Sequence, residues 1–291
     1  MKYYPYTSSS EIVSIEAANE YFDQNVVDDQ NSTAEKVMPM FASLCRNQSA
    51  ILSSMAICTK GLLDGSGREG HVPNSMILFR GNGYVVRVNV WPALDQDKLF
   101  GKQAGSLYAY GLPHNHNYSF LTGVVLGGGY ETTICSWKNV DTRLQEGDEA
   151  VITEPKNIFV EPGGVYLYEK FTDVHIQIPP KDLTVTLNLM LTKEETLQHP
   201  QFVFDLDNRR IHSLPEYSAL AKQAALLRLV RREYEREFEG YMLGLASDDN
   251  VSHYIRKKTI ELAGPNGEFA AQRTISWRNQ QARELANPAS L

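Results

Sequence analysis

Histidines 114 and 116 stand one residue apart in YGLPHNHNYSFLTGVVLGGGYETT, behind Pro113 and ahead of a glycine-rich run. On an extended strand, positions i and i+2 share a face, so both imidazoles would project the same way, with Tyr118 and Phe120 continuing it. Two neutral nitrogen donors close together on a rigid element are what a divalent transition metal requires. By itself a His-x-His pair is weak evidence, because a surface loop places histidines so equally well. His175, in EKFTDVHIQIPP, opens a further strand-like piece after the turn Pro162–Gly163–Gly164. In an antiparallel barrel that strand would face the pair across the lumen and complete a facial set of three imidazoles. The plainer alternative is a core histidine satisfied by one hydrogen bond. His71, His199, His212 and His253 lie in loops or helix starts without partners at ligand spacing.

Such a set needs a frame, and the period of the sequence supplies one. YVVRVNVW alternates Tyr84, Val86, Val88 and Val90 with Val85, Arg87, Asn89 and Trp91. LTVTLNLML does the same, with Thr184, Thr186, Asn188 and Met190 between leucines and a valine. Alternation of this length marks strands with two different faces. Further short strand-like pieces between glycine and proline turns, without helical crossovers, predict a mainly β sandwich, jelly roll or barrel over residues 75–192. Residues 8–63 read as helical, with capping boxes at Ser8/Glu11 and Ser32/Glu35 and with Pro39 near the second start. The string DGSGREGHVPNS is a loop. After residue 192 the chain turns helical again: Ser213 and Glu216 around Pro215 predict a start, and Leu220, Ala224, Leu227, Val230, Tyr234, Phe238 and Tyr241 form one stripe. A short helix is expected over NVSHYIRKKTIELAG. The division is a helical segment 1–74, a barrel 75–192 and a helical segment 193–291, packed as one unit.

Composition narrows the function classes. With 28 basic against 35 acidic residues, the net charge of −7 argues against a nucleic-acid partner. No apolar run approaches bilayer-spanning length, and MKYYPYTSSSEIV lacks the apolar centre of a secretory signal, so no membrane association and a cytoplasmic location are expected. Cys45, Cys58 and Cys135 are too widely spaced for a disulfide framework or a paired-thiolate zinc site. VLGGGYETT lacks the lysine of a phosphate-binding loop, and no Gly-x-Ser-x-Gly elbow is present.

The arrangement of Gly111, His114, His116, Phe120 and Gly127, followed by EPGGVYLYEKFTDVHIQ, resembles the cupin superfamily and in particular its three-histidine thiol dioxygenase branch. The resemblance covers residues 75–192. It implies a cupin barrel (a double-stranded β-helix or jelly roll) with helical additions, in which His114, His116 and His175 hold Fe(II) and O2 oxidises a small polar, amino-acid-derived or thiol substrate. Phe120 or Leu121 in place of the usual glutamate ligand fits that branch. Arg80, in ILFRGNG, stands where the family grips a substrate carboxylate, and a guanidinium's planar fork suits that task. Arg87 competes for the role if its face is the lumen, and Tyr118 is a further substrate-binding candidate; either arginine could instead sit on the rim. The family's serine, histidine and tyrosine row here reads Thr186, Asn188 and Met190. Asn188 and Thr186 are therefore the candidates for orienting the metal-bound groups, with Glu131 a further one unless it faces solvent, and a phenol would have to come from Tyr110, Tyr118, Tyr130, Tyr166 or Tyr168. Histidines alone do not choose among divalent metals. A zinc, manganese or nickel isomerase, decarboxylase or hydrolase, and a non-catalytic binding cupin, stay open, as does a homodimer.

Overall fold

The computed structural model describes residues 1–5, 11–26, 30–64, 74–94, 108–192, 199–216, 218–233 and 238–263. In chain order these form β1 (Lys2–Pro5), α1 (Ile15–Asn25), α2 (Gln30–Cys45) and α3 (Gln48–Asp64). The strands β2 (Ser75–Gly81), β3 (Tyr84–Trp91), β4 (Ser119–Leu126), β5 (Tyr130–Ser136) and β6 (Lys156–Val160) follow. Then come β7 (Gly164–Tyr168), β8 (Asp173–Gln177), β9 (Thr184–Leu191), β10 (Val203–Asp205) and β11 (Arg210–Ser213). The helices α4 (Ala219–Glu233), α5 (Phe238–Ser247) and α6 (His253–Ala263) close the described chain.

Six strands pair in the order β1-β7-β4-β9-β3-β2, and β6-β5-β8 form a second sheet, every pairing antiparallel. The two faces of the large sheet follow from period two. Tyr84, Val86 and Val88, then Leu121 and Val125, Val165 and Leu167, and Val185, Leu187, Leu189 and Leu191 point outward into a core shared with Phe22, Phe41, Leu44 and Ile51 of α1–α3. The alternate residues Phe120, Val124, Tyr166 and Tyr168 point inward and meet Tyr130, Ile134 and Val160 of the small sheet. Register holds the two sets apart: β3 pairs β9 as Val85↔Met190, Arg87↔Asn188, Asn89↔Thr186 and Trp91↔Thr184. A slip of one residue would exchange the inner and outer faces, which burial on both sides forbids. The glycine run ends β4 in a tight turn. Gly129 is held at φ +96, and a side chain there would collide with the Val160 carbonyl. Two antiparallel sheets enclosing a lumen, with helices before and after them, make the mainly β barrel with helical additions that the resemblance implied.

The helical ends differ in detail from the sequence expectation. Where the capping boxes marked two starts, three helices precede the barrel among the described residues, since Ser14 caps α1 by accepting from the Ala17 N–H at 3.1 Å and Asn47 caps α3 through Ala50 at 3.2 Å. Ser8 lies outside the described residues. Ser32 is not a start, because α2 is under way at Gln30, and Pro39 lies inside that helix rather than at its first turn. The start placed at Ser213 moves to Ser218, whose Oγ accepts from Ala221 at 3.1 Å, because Ser213 still belongs to β11. Most of the loop 64–75, Tyr234 and the end of the chain fall outside the described residues.

By contacts, the described residues form two compact units, one drawn from 1–140, 148–197 and 201–212 and the other from 141–147, 198–200 and 213 onward. The first holds both sheets and α1–α3. In the second, Leu220, Ala224 and Leu227 of α4 are buried, as are Tyr254 and Ile255 of α6, and Lys258 bridges Glu146 and Glu261 at 3.5 and 3.0 Å. No helix among the described residues is long and apolar enough to cross a membrane.

Candidate metal centre

The chain brings the three histidines together, though by a different route from the one expected. His114 and His116 precede β4 instead of lying within it, and His175 sits in the middle of β8. His175 does not face the pair across the lumen. Its backbone is bridged directly to His114, with N–H donating to carbonyl at 2.9 and 3.0 Å in the two directions. On its other side the same segment is bonded to residues 202–204: Asn115 donates to the Phe202 carbonyl at 3.1 Å and Phe204 to the Pro113 carbonyl at 2.9 Å. The lead-in thus behaves as an extended strand between two neighbours, which is why His114 and His116 can serve one site. Asn115 fastens it further, its Nδ2 donating to the Phe171 carbonyl at 3.0 Å and its Oδ1 accepting from the Phe202 N–H at 2.8 Å. Phe171 is held at φ 60, a conformation that costs a non-glycine residue energy; its own N–H donates to the His116 carbonyl at 2.7 Å.

One potential ligand nitrogen from each ring lies within 4.8 Å of the others. Hydrogen bonds set two tautomers. His114 Nδ1 lies 2.9 Å from the Leu112 carbonyl, which can only accept, so Nδ1 carries the proton and Nε2 keeps its lone pair. His116 Nδ1 lies 3.1 Å from Gln201 Oε1, and the Gln201 amide in turn donates to Asn117 Oδ1 at 3.0 Å, so its Nε2 is free as well. That atom is 3.1 Å from His175 Nε2. Neighbouring ligands at a metal–nitrogen distance of about 2.1 Å stand about 3.0 Å apart at right angles and about 3.4 Å apart in a tetrahedron, so the spacing suits a shared cation. His175 Nδ1 is buried without a hydrogen-bond partner. Burial holds the His114 pKa below its ordinary value, and holds His116 and His175 well below it, with the neighbouring histidines adding to the shift and Arg87 adding to it at His116. Three rings kept neutral are three rings ready to ligate. The donor set therefore fits a divalent transition metal.

No carboxylate joins this group among the described residues. Phe120 takes the flank, its ring 5.2 Å from His116 and stacked on Tyr168 at 4.5 Å. Tyr118 stacks on His116 at 4.9 Å and lies beside Arg87, whose buried Nε has no partner. Arg87 is thus turned inward beside the histidines. Arg80 is exposed at the edge strand β2 and Glu131 is exposed on β5, so neither is brought to the group. Asn188 and Thr186 face the lumen in a fixed network: Asn188 Oδ1 accepts from Thr122 at 3.0 Å and Thr186 at 3.2 Å, and Trp91 Nε1 donates to Thr186 at 3.0 Å. Met190 pairs with Phe120 at the histidine level. Asn188 and Thr186 therefore lie about 7 and 13 Å further along the strand, at about 3.3 Å per residue. Tyr168 sets its ring 5.1 Å from His175, and its hydroxyl, beside Tyr130 and Thr132, makes no well-formed hydrogen bond. Gln177, two residues after His175, also has a buried donor without a partner. Gln201 and Asn117 escaped the sequence reading; a glutamine 85 positions from its histidine carries no local signal.

No family model matches the chain. No curated protein matches it in sequence. Solved structures do align. A cupin superfamily protein from Desulfitobacterium hafniense shares 11% identity over 43% of this chain and 84% of its own, with a TM-score of 0.23. Salicylate 1,2-dioxygenase from Pseudaminobacter salicylatoxidans shares 10% over 53% of this chain and 37% of its own, at 0.29. Hydroxypropylphosphonic acid epoxidase from S. wedmorenis shares 11% over 40% and 51%, at 0.24. The chain thus spans about half the epoxidase and little more than a third of the salicylate enzyme.

Proposed function

We propose that this chain is a cupin-type oxygenase that holds ferrous iron on His114, His116 and His175 and uses O2 to oxidise a small polar substrate. The observation that carries the reading is the convergence of three neutral imidazoles with two of their Nδ1 protons already committed to Leu112 and Gln201. Held by these three neutral rings, a divalent metal would keep its full charge and would supply the redox and Lewis-acid chemistry of the reaction.

The chain's own residues do the rest. Leu112 and Gln201 fix ring orientation, so the site is set before substrate arrives. Phe120 and Tyr118 wall the histidines with aromatic surface and exclude water. Arg87, beside Tyr118 and with a free donor, grips the substrate's carboxylate, the part that the resemblance gave first to Arg80. Asn188 and Thr186 form the polar back of the lumen, where they position the substrate's far end. The resemblance to thiol dioxygenases makes a small amino-acid-derived thiol the first compound to test.

The experiment is metal analysis of freshly isolated protein together with oxygen consumption over a panel of thiols, amino acids and aromatic acids. Iron at one equivalent and substrate-dependent oxygen uptake, both lost in His175→Ala, are the expected results. Turnover without oxygen, in the presence of another metal, would sink the oxygenase reading and favour an isomerase or hydrolase.

A further inference from the structure

Tyrosine and tryptophan side chains follow one another from the histidines toward the surface, and the proposed reaction does not use them. The series begins at Tyr168, 5.1 Å from His175 by ring centroids. The Tyr168 hydroxyl neighbours that of Tyr130. Tyr130 lies 5.9 Å from Trp91, Trp91 lies 5.9 Å from Tyr110, and Tyr110 lies 5.5 Å from Tyr108. Tyr130 and Tyr168 are buried, whereas Trp91, Tyr110 and Tyr108 are partly exposed. These are the two side-chain types that lose an electron most readily among the twenty, apart from the thiols. The cysteines lie elsewhere: Cys135 is on β5 beside the lumen-facing Ile134 and hence on the opposite face, and Cys45 and Cys58 are in α2 and α3.

Packing alone does not ask for this selection. Aliphatic side chains fill most of the outer face of β3 and β7, so leucine or valine in place of Trp91 and Tyr168 would satisfy the same backbone. Nor is the series a hydrogen-bond relay. Tyr110 donates sideways to the Pro92 carbonyl at 3.0 Å and Trp91 to Thr186, so from Tyr130 outward the rings meet by π contact and not by proton exchange, whereas Tyr168 and Tyr130 approach through their hydroxyls. Contacts of 5.5–5.9 Å between centroids suit electron hopping from ring to ring.

We infer that Tyr168, Tyr130, Trp91, Tyr110 and Tyr108 form a hole-transfer path that discharges oxidising equivalents left at the histidines when oxygen or peroxide reacts there without substrate. The inference rests on the metal reading above. Each event takes one electron from Tyr108, the last ring, whose proton passes to solvent as the ring becomes a neutral radical. Two such electrons and two protons reduce one hydrogen peroxide to two waters, and solution reductants refill the radical. The path spares the ligands, since a hole that cannot leave would oxidise the nearest imidazoles.

The test uses full-length protein loaded with iron(II), freed of unbound metal, and exposed to hydrogen peroxide without substrate. Freeze-quench paramagnetic resonance reads the radical, and peptide mass spectrometry reads oxidation of His114, His116 and His175. Wild type should show a tyrosyl radical reducible by ascorbate. Trp91→Phe and, separately, Tyr110→Phe should bind iron as wild type does, lose that signal and gain oxidised histidine. The second variant removes only a hydroxyl, so it guards against a folding defect in the first. Iron bound normally but radical yield and histidine oxidation unchanged in both variants overturns the path. Failure of wild type to bind iron overturns the metal reading instead.

Discussion

Replacing Gln201 by leucine should weaken metal binding without touching a ligand. Gln201 Oε1 accepts the His116 Nδ1 proton at 3.1 Å, and its amide donates to Asn117 Oδ1 at 3.0 Å. Leucine fills the same space but leaves the His116 N–H and the Asn117 oxygen to find other partners. The ring then samples both tautomers and other rotations, and only one combination presents Nε2 beside His175. Loss of such an outer partner costs a metal site about 10–100-fold in affinity, or about 1.4–2.7 kcal/mol. The metal-free fold should lose about 1 kcal/mol, near the low end for an unmet hydrogen bond, because His116 is only partly buried. Competition against a chromophoric chelator, with cobalt(II) or zinc(II) as the probe, measures the first effect, and urea melts measure the second. Gln201→Glu keeps an acceptor for His116 and should restore much of the affinity. The reasoning is refuted if Gln201→Leu binds metal as tightly as wild type, or if the glutamate variant is as weak as the leucine one.

Other outcomes follow from the same geometry. His175→Ala removes one of three ligands and should abolish stoichiometric metal in plasma spectrometry while leaving the circular dichroism spectrum of the fold intact. Metal-free protein should lose stability as pH falls below about 6.5, the unfolded histidine value, because the folded state holds all three rings below that value and so binds fewer protons than the unfolded chain; the slope is at most about 1.4 kcal/mol per pH unit per histidine. Urea melts in chelator at pH 7.5 and 5.5, with pH as the set variable, would refute this by being equal. Leu189→Ala, fully buried on the helix-facing side of β9, should cost about 2–5 kcal/mol in the same melts and leave metal affinity unchanged.

Much of the frame was written in alternation. Tyr84, Val86 and Val88 against Arg87, Asn89 and Trp91 separated the two faces of β3 before any coordinates, and the two-residue spacing of His114 and His116 named the ligand segment. These are local facts, fixed by the period of an extended chain. What the sequence could not contain was distance across the fold. It put His175 opposite the pair, whereas a backbone bridge makes it their neighbour; it weighed Arg80 and Arg87 as rivals, and only the edge position of β2 and the register of β3 against β9 send one to solvent and the other to the lumen. Gln201 and the ring series from Tyr168 to Tyr108 are likewise products of tertiary packing, because contacts between residues tens of positions apart depend on how whole sheets pair, and no short window of sequence encodes that.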